Sequence, residues 1–235
     1  MWRGVSKKIE NWEWRMKNGK RPFSILHSQF PIPNSQFLIL PLLLLLLFGC
    51  TRTPPVVKIG LVAPFEGRER AIGYDVIYSA RLAVRELNEA GGVNGYRVAL
   101  VALDDGGDVE LARETAVSLT LDPAIIAVVG HWQPETTAVA APIYAAAGIP
   151  FVPMGKRPFG PADPATLPND FLAAYAAVTP FDETAGPYAA TTYDAFQLLW
   201  QALAAADTPL NRNHTTTALS GRTYTGMTGV ISLPN

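Results

Sequence analysis

The residue types best suited to bind a small anion are concentrated between Gly130 and Thr137, in the order Gly-His-Trp-Gln-Pro-Glu-Thr-Thr. A wholly apolar run, Ala124–Val129, precedes this stretch, and an alanine-rich segment follows it. The order predicts a turn from the carboxyl end of a strand into the start of a helix. The first turn of a helix has unpaired N–H groups and the positive end of the helix dipole, so it can hold a carboxylate or phosphate. A simple connection between strand and helix has the same pattern.

Other kinds of chemistry find little support. The sequence has no Gly-x-Ser-x-Gly nucleophile motif, no paired histidine ligands and no phosphate-binding loop. Asp104-Asp105 stands where a dinucleotide-binding fold has its acidic residue, but Pro64–Gly67 lacks the required glycine pattern. The histidines are scattered and the only cysteine is Cys50. We therefore expect no catalytic residue, metal site, cofactor or internal disulfide.

Charge is unevenly distributed along the 235 residues, which are 49% hydrophobic and carry a net charge of -1. Residues 1–21 hold seven of the 19 Lys and Arg residues and two of the 20 Asp and Glu residues. The remaining 12 basic and 18 acidic residues have a net charge of −6. This composition is typical of a globular protein, argues against a nucleic-acid partner, and suits a domain outside a membrane.

The basic N-terminal segment leads into the apolar run Phe37–Leu47, which is shorter than the roughly 20 residues of a membrane-spanning helix and matches a signal-peptide core. Leu47-Phe48-Gly49-Cys50 resembles the lipobox of bacterial lipoproteins, whose cysteine is lipidated and becomes the mature N-terminus. A signal peptide with a chance cysteine is the alternative. We expect residues 1–50 to be a leader, with 1–35 disordered or removed, and residues 51–56 to be a tether to the membrane.

Strands and helices alternate after the tether. Apolar runs predict strands at Val57–Ala63, Val98–Leu103, Ala124–Val129 and Ile149–Val152. Three helical patterns lie between them; the second has Asp108 as its predicted N-cap, and the third runs from Pro134 to Ala147. The alternation predicts an α/β fold with a doubly wound parallel sheet.

A resemblance to a known family becomes specific over these elements. Its motifs are Lys58–Pro64, Ala80–Ala83, Asn88–Gly95, Asp104–Gly106, Val128–His131, Ala141–Tyr144 and Gly148–Pro150, in this order. Together they resemble the N-terminal lobe of the type I periplasmic binding proteins, in the leucine/isoleucine/valine-binding branch. We assign residues 57–157 to this lobe.

The resemblance implies a site and partners. Family members hold an amino acid or similar small polar ligand between two lobes, deliver it to an ABC transporter permease and perform no chemistry. The ligand's charged groups would contact the turn and the segment after the fourth strand, and an apolar wall would come from the first loop. The residues implied are Ile72, Trp132, Gln133, Glu135, Thr136, Thr137, Met154 and Lys156. For Trp132, stacking on a ligand and packing at the lobe surface are both open.

Two residues of the turn depart from the family pattern. Pro134 offers neither a hydroxyl nor an N–H, and Glu135 places a carboxylate where the ligand's carboxylate should bind. Like charges at this position repel by about a kcal/mol or more when partly desolvated. Lys156 could offset this repulsion or recruit a different anion. Specificity for amino acids is therefore in doubt.

The C-terminal part is too short for a complete second lobe. Residues 158–169 form a proline-rich, irregular junction, and residues 170–235 resemble the last part of the family's C-terminal lobe. We expect an incomplete, mainly helical remnant of that lobe, left by an internal deletion near 158–169. Its helices would dock on the exposed sheet edge or stay poorly packed. The chain is thus expected to be a lipid-anchored, binding-impaired solute-binding protein; a ligand sensor or cell-envelope interaction lipoprotein is the alternative.

Overall fold

The computed structural model describes residues 53–180 and 183–234, so the leader, Cys50 and the first two residues of the tether lie outside the described residues. Its main feature is a parallel sheet with strand order β2-β1-β3-β4. The strands are β1 (Val56–Ala63), β2 (Arg97–Asp104), β3 (Ile125–Gly130) and β4 (Phe151–Pro153). The helices between them are α1 (Arg70–Glu89), α2 (Val109–Thr120) and α3 (Pro134–Ala146). The predicted doubly wound sheet is confirmed.

Burial explains why the two central strands are almost continuously apolar. β1 and β3 have neighbours on both sides and helices over both faces, and every residue of β3 is buried. A strand covered on both faces must carry apolar side chains throughout, without alternation. Because all four strands run in the same direction, their carboxyl ends lie along one edge of the sheet. The turn from Gly130 to Thr137 lies at that edge.

The first helices follow the sequence expectations in most respects. The Asp108 carboxylate accepts hydrogen bonds from the N–H groups of Glu110 and Leu111, both at 2.9 Å, and so caps α2 as predicted. On α1, Val76, Ala80 and Ala83 are buried, but so are Tyr78 and Leu82 on another side of the helix. A helix buried on two sides needs a second partner besides the sheet.

That partner is the C-terminal part of the chain. It contains α4 (Asn169–Ala176), α5 (Ala189–Ala205), α6 (Arg212–Leu219) and an antiparallel hairpin of β5 (Thr223–Gly226) and β6 (Gly229–Ser232). The N-cap residue of α4 is Pro168, with no side-chain capping bond. Helix α5 is buried around most of its circumference rather than on one face.

Residues 57–157 and 170–234 share one of the two hydrophobic core clusters, and Thr53–Asn235 is one compact unit. The Trp200 indole N–H donates to the carbonyl of Ala83 on α1 at 3.3 Å. The Tyr193 hydroxyl donates to Glu86 of α1 at 2.6 Å. Helix α5 thus packs on α1, α6 lies beside the β4 edge of the sheet, and residues 158–169 do not separate two compact units.

Two buried carboxylates stabilise the packing of the C-terminal part, one on α1 and one on α5. Asp75 of α1 accepts hydrogen bonds from the N–H groups of Gly186, at 2.8 Å, and Tyr188, at 2.6 Å. Burial raises the pKa of the Asp75 carboxyl, although these hydrogen bonds favour its charged form. Asp194 of α5 similarly accepts from the N–H and hydroxyl of Thr228, at 2.8 and 2.6 Å, in the turn of the hairpin. Buried charges that accept several hydrogen bonds define how the segments dock.

Arg212 at the start of α6 adds a further connection. Its guanidinium donates to four backbone carbonyls, those of Thr120, Asp122, Ile125 and Ala147, at 2.9 to 3.2 Å. Thr120 ends α2 and Ala147 follows α3, so the cation meets the negative ends of two helix dipoles.

In the part of the chain that the structure describes, no helix combines the length and apolarity needed to cross a membrane.

Candidate ligand-binding site

The turn between β3 and α3 depends on Gly130. Its φ of 138° is one that other residues rarely adopt, and a Cβ atom here would collide with the carbonyl oxygen of Val62 on β1. Glycine therefore lets the chain leave β3 close to the neighbouring strand. Helix α3 then begins at Pro134 after Gln133, whose side chain makes no capping bond. The fixed φ of proline suits this first helical position, and its missing N–H removes one donor from the helix N-terminus.

Three of the predicted ligand residues are buried in the core. Trp132 is 5% exposed, Met154 is 1% exposed and Thr136 is fully buried. The Thr136 hydroxyl donates to the carbonyl of Gln133 at 3.1 Å. Of the two roles left open for Trp132, packing is the one it has in this structure. The indole N–H of Trp132 and the side-chain amide of Gln133 have no hydrogen-bond partner among the described residues.

The other predicted residues lie nearer the surface. Glu135 and Lys156 are exposed, while Ile72, Gln133 and Thr137 are partly buried. The Thr137 hydroxyl donates to the carbonyl of His131 at 3.3 Å. Both threonine hydroxyls of the turn thus bond to the turn's own backbone. What remains for an anionic ligand is the surface around the first turn of α3, beside the carboxylate of Glu135.

A buried polar triad lies at the start of this turn, and the sequence did not reveal it. His131 Nδ1 is 2.7 Å from a carboxylate oxygen of Asp105, and Nε2 is 3.1 Å from the hydroxyl of Tyr144; His131 and Asp105 are fully buried. Burial raises the pKa of Tyr144, so its hydroxyl stays protonated, and the tautomer of His131 sets which group donates in each of these two hydrogen bonds. The triad joins the loop after β2 to the turn after β3.

The sequence signal for the triad was the polar residues that directly follow two apolar strands.

Asp104, beside the triad, also has a structural role. Its carboxylate accepts hydrogen bonds from the N–H groups of Phe65, at 2.7 Å, and Gly106, at 2.9 Å. Asp104 thus fixes the loop that follows β1 and leads to the helix carrying Ile72. Asp105 fixes the turn after β3 through its contact with His131. The two aspartates of the predicted strand end have positioning roles.

A family model described as periplasmic binding protein matches residues 56–169. This segment is similar to the periplasmic binding proteins, in their type I, leucine/isoleucine/valine-binding branch. Over 93 residues the chain is 36% identical to an amino acid binding protein of Pseudomonas aeruginosa and 31% identical to Leu/Ile/Val-binding protein homolog 1 of Brucella abortus. These matches cover 40% of this chain but 25% of each relative, so the chain matches about a quarter of their length.

Solved structures of binding proteins show the same fold. The branched-chain amino acid transporter substrate-binding protein LivJ of Streptococcus pneumoniae, in complex with isoleucine, has a TM-score of 0.64 at 15% identity, covering 75% of this chain and 91% of that chain. The leucine-binding protein LivK of Thermotoga maritima has a TM-score of 0.62 at 13% identity, covering 76% and 91%. At these identities the likeness concerns the fold alone. In the periplasmic binding protein fold of this chain, the turn after β3 is the candidate site.

Proposed function

We propose that the chain is an extracytoplasmic solute-binding protein of an ABC transporter, with a branched-chain amino acid or related small polar molecule as its inherited ligand and an ABC permease as its partner. The observation that carries this proposal is the family match over residues 56–169, with relatives named for leucine, isoleucine and valine. Members of this family bind solutes rather than transform them. The candidate site residues are those of the turn and the segment after β4, with Glu135 and Lys156 as its exposed charges.

We further propose that this binding is impaired. Ligands in this family are enclosed between two lobes, and residues 53–180 and 183–234 form one compact unit without a facing lobe. The proposed internal deletion at 158–169 would explain how a lobe was lost, with 57–157 and 170–235 as the parts on either side. Without closure, a ligand keeps much of its surface in water and gains fewer contacts.

Calorimetric titration with leucine, isoleucine and valine is therefore expected to show no binding tighter than about 1 mM, or roughly 4 kcal/mol. Glu135→Gln removes the carboxylate from the first turn of α3 and should not weaken any residual affinity, because like-charge repulsion is lost. Lys156→Gln is the matched variant, because it removes a positive charge from the site instead of a negative one. Micromolar binding by the natural chain would contradict the proposed impairment while leaving the solute-binding function intact.

Lipid anchoring through Cys50 is a separate part of the proposal. The leader 1–50 and tether 51–56 predict a diacylated or triacylated N-terminus in the membrane fraction of a bacterial host. The Cys50→Ser variant is expected to lose the lipid mass by mass spectrometry and to leave that fraction. Thr51→Ser, one residue away, is the control and should stay lipidated. A natural chain that carries no lipid on Cys50 would contradict the anchor.

A second candidate function rests on the proposed impairment of ligand binding. The alternative is a ligand sensor or a cell-envelope interaction lipoprotein on the same fold. Cross-linking in intact cells, with and without added amino acids, separates the two functions. Association with a permease favours transport, whereas ligand-independent association with another envelope protein favours the alternative.

A further inference from the structure

A groove of about 610 Å³ runs along the free edge of the sheet. The edge strand β4 forms its floor with Phe151 and Pro153, helix α3 contributes Ala141, and helix α6 contributes Leu219. Cavities of this size are typical of sites for small organic molecules. The groove includes Thr137 and Lys156 of the predicted site, but most of its lining belongs to the sheet edge and the C-terminal segments.

Charge in the groove has one sign. Among the described residues, Lys156 and Arg157 are its only charged lining residues; both are exposed and follow the carboxyl end of β4. No aspartate or glutamate of the described residues lines it, although the chain as a whole carries more acidic than basic residues. The rest of the lining is mainly aliphatic, aromatic and proline side chains. An apolar channel with two cations at one end complements a molecule with an apolar body and one anionic group.

The backbone of β4 is poorly suited to pair with an additional strand at this edge of the sheet. Pro150 O accepts from Val128 N–H and Met154 N–H donates to Gly130 O, so these residues direct their backbone groups toward β3. By alternation, Phe151 and Pro153 direct theirs outward, to the groove side. Pro153 has no N–H, which leaves Phe151 as the single outward donor of the strand. Edge prolines discourage strand pairing, whereas one N–H is sufficient for a carboxylate.

We propose that this edge groove, formed by β4, α3 and α6 with Lys156 and Arg157 at one end, binds a small organic carboxylate with an apolar body. The groove shares Thr137 and Lys156 with the candidate site, but Gln133 and Glu135 do not line it. It requires no second lobe, since the groove walls all come from one compact unit. The proposal therefore does not depend on the inherited ligand.

The test uses octanoate as the probe, with octylamine as its cationic counterpart, and follows binding to the full chain by calorimetry and ¹H–¹⁵N NMR. We expect saturable octanoate binding that shifts the Phe151 N–H signal, at least about tenfold tighter than octylamine, the ratio expected for a favourable rather than repulsive charge. Absence of saturable octanoate binding, or equal binding of octylamine, would overturn the proposal.

Two variants locate the site. Ala141→Phe fills the groove without removing a packed side chain, and Arg157→Gln removes one cation. We expect Ala141→Phe to weaken octanoate binding by about tenfold or more and Arg157→Gln by about threefold to fivefold. Ala145→Phe on the exposed side of α3 and Arg113→Gln on α2 are the matched controls and should stay within about twofold.

Arg157→Gln keeps the proposal testable if Ala141→Phe does not fold. Octanoate binding unchanged by Arg157→Gln or by a folded Ala141→Phe would overturn the proposal. Glu135→Gln changes only the first turn of α3, so leucine affinity that changes there while octanoate affinity does not would separate the two sites. Tight leucine binding would contradict the impaired-binding proposal and leave the groove result unaffected.

Discussion

The His131→Ala variant is expected to lose about 3–5 kcal/mol of unfolding free energy, the cost of breaking a buried pair by removing one partner. The ring is fully buried between Asp105, at 2.7 Å, and Tyr144, at 3.1 Å. Its removal leaves the Asp105 carboxylate with the N–H of Gly107, at 3.0 Å, as its remaining partner, and it opens a cavity at the end of β3. Chemical denaturation followed by circular dichroism measures the loss.

A double-mutant cycle separates the pair from the cavity. Asp105→Ala alone should be destabilised similarly, and the double variant should cost much less than the sum, with a coupling energy of about 1–3 kcal/mol. Tyr144→Phe keeps the ring and loses one hydrogen bond, so it should cost about 1 kcal/mol. Additive losses from His131 and Asp105 would show that the two side chains do not act as a pair.

The second large effect is expected for Trp200→Ala, which should cost about 3–5 kcal/mol. Trp200 is 6% exposed, stacks edge-on against Phe196 with ring centroids 5.4 Å apart, and donates to Ala83 of α1. Its loss removes contacts that join the C-terminal part to the sheet domain. Because both parts share one core, unfolding should remain a single cooperative transition at a lower denaturant midpoint.

The neighbouring exposed residue Gln201 provides the control: Gln201→Ala should change the free energy by no more than about 0.5 kcal/mol. Trp200→Phe should fall between the two variants, since it retains an aromatic ring. Two separate transitions, the first confined to residues 170–234, would indicate that the C-terminal part is an independent unit. That outcome would restore the domain division expected from the sequence.

The parallel sheet could be predicted because its signals are local. An apolar run without alternation requires cover on both faces, and a helix pattern between two such runs requires a crossover. Asp108 was predictable as a cap for the same reason, since its bonds reach only two and three residues along the chain. The family resemblance over residues 57–157, confirmed by the family match, has a similar origin in short motifs at turns and strand ends.

The candidate site was harder to predict because its polar groups have competing partners. Thr136 has the residue type that family members use for ligands, yet its hydroxyl donates to Gln133 and its side chain is fully buried. His131 is one of three scattered histidines in the sequence, but the fold brings it to Asp105, 26 residues earlier in the chain. No local pattern shows which hydroxyls a turn uses for its own backbone.

The sequence by itself determined the alternation of strands and helices, the position of the turn at the carboxyl edge, and the charges of Glu135 and Lys156 around it, since each depends on neighbours in the chain. Only the tertiary structure decided that residues 170–234 complete the first core instead of forming a second lobe. The physical reason is that α1 and α5 each have apolar residues on more than one side. Which of those sides meet is set by long-range packing and by buried carboxylates such as Asp75, not by the period of either helix.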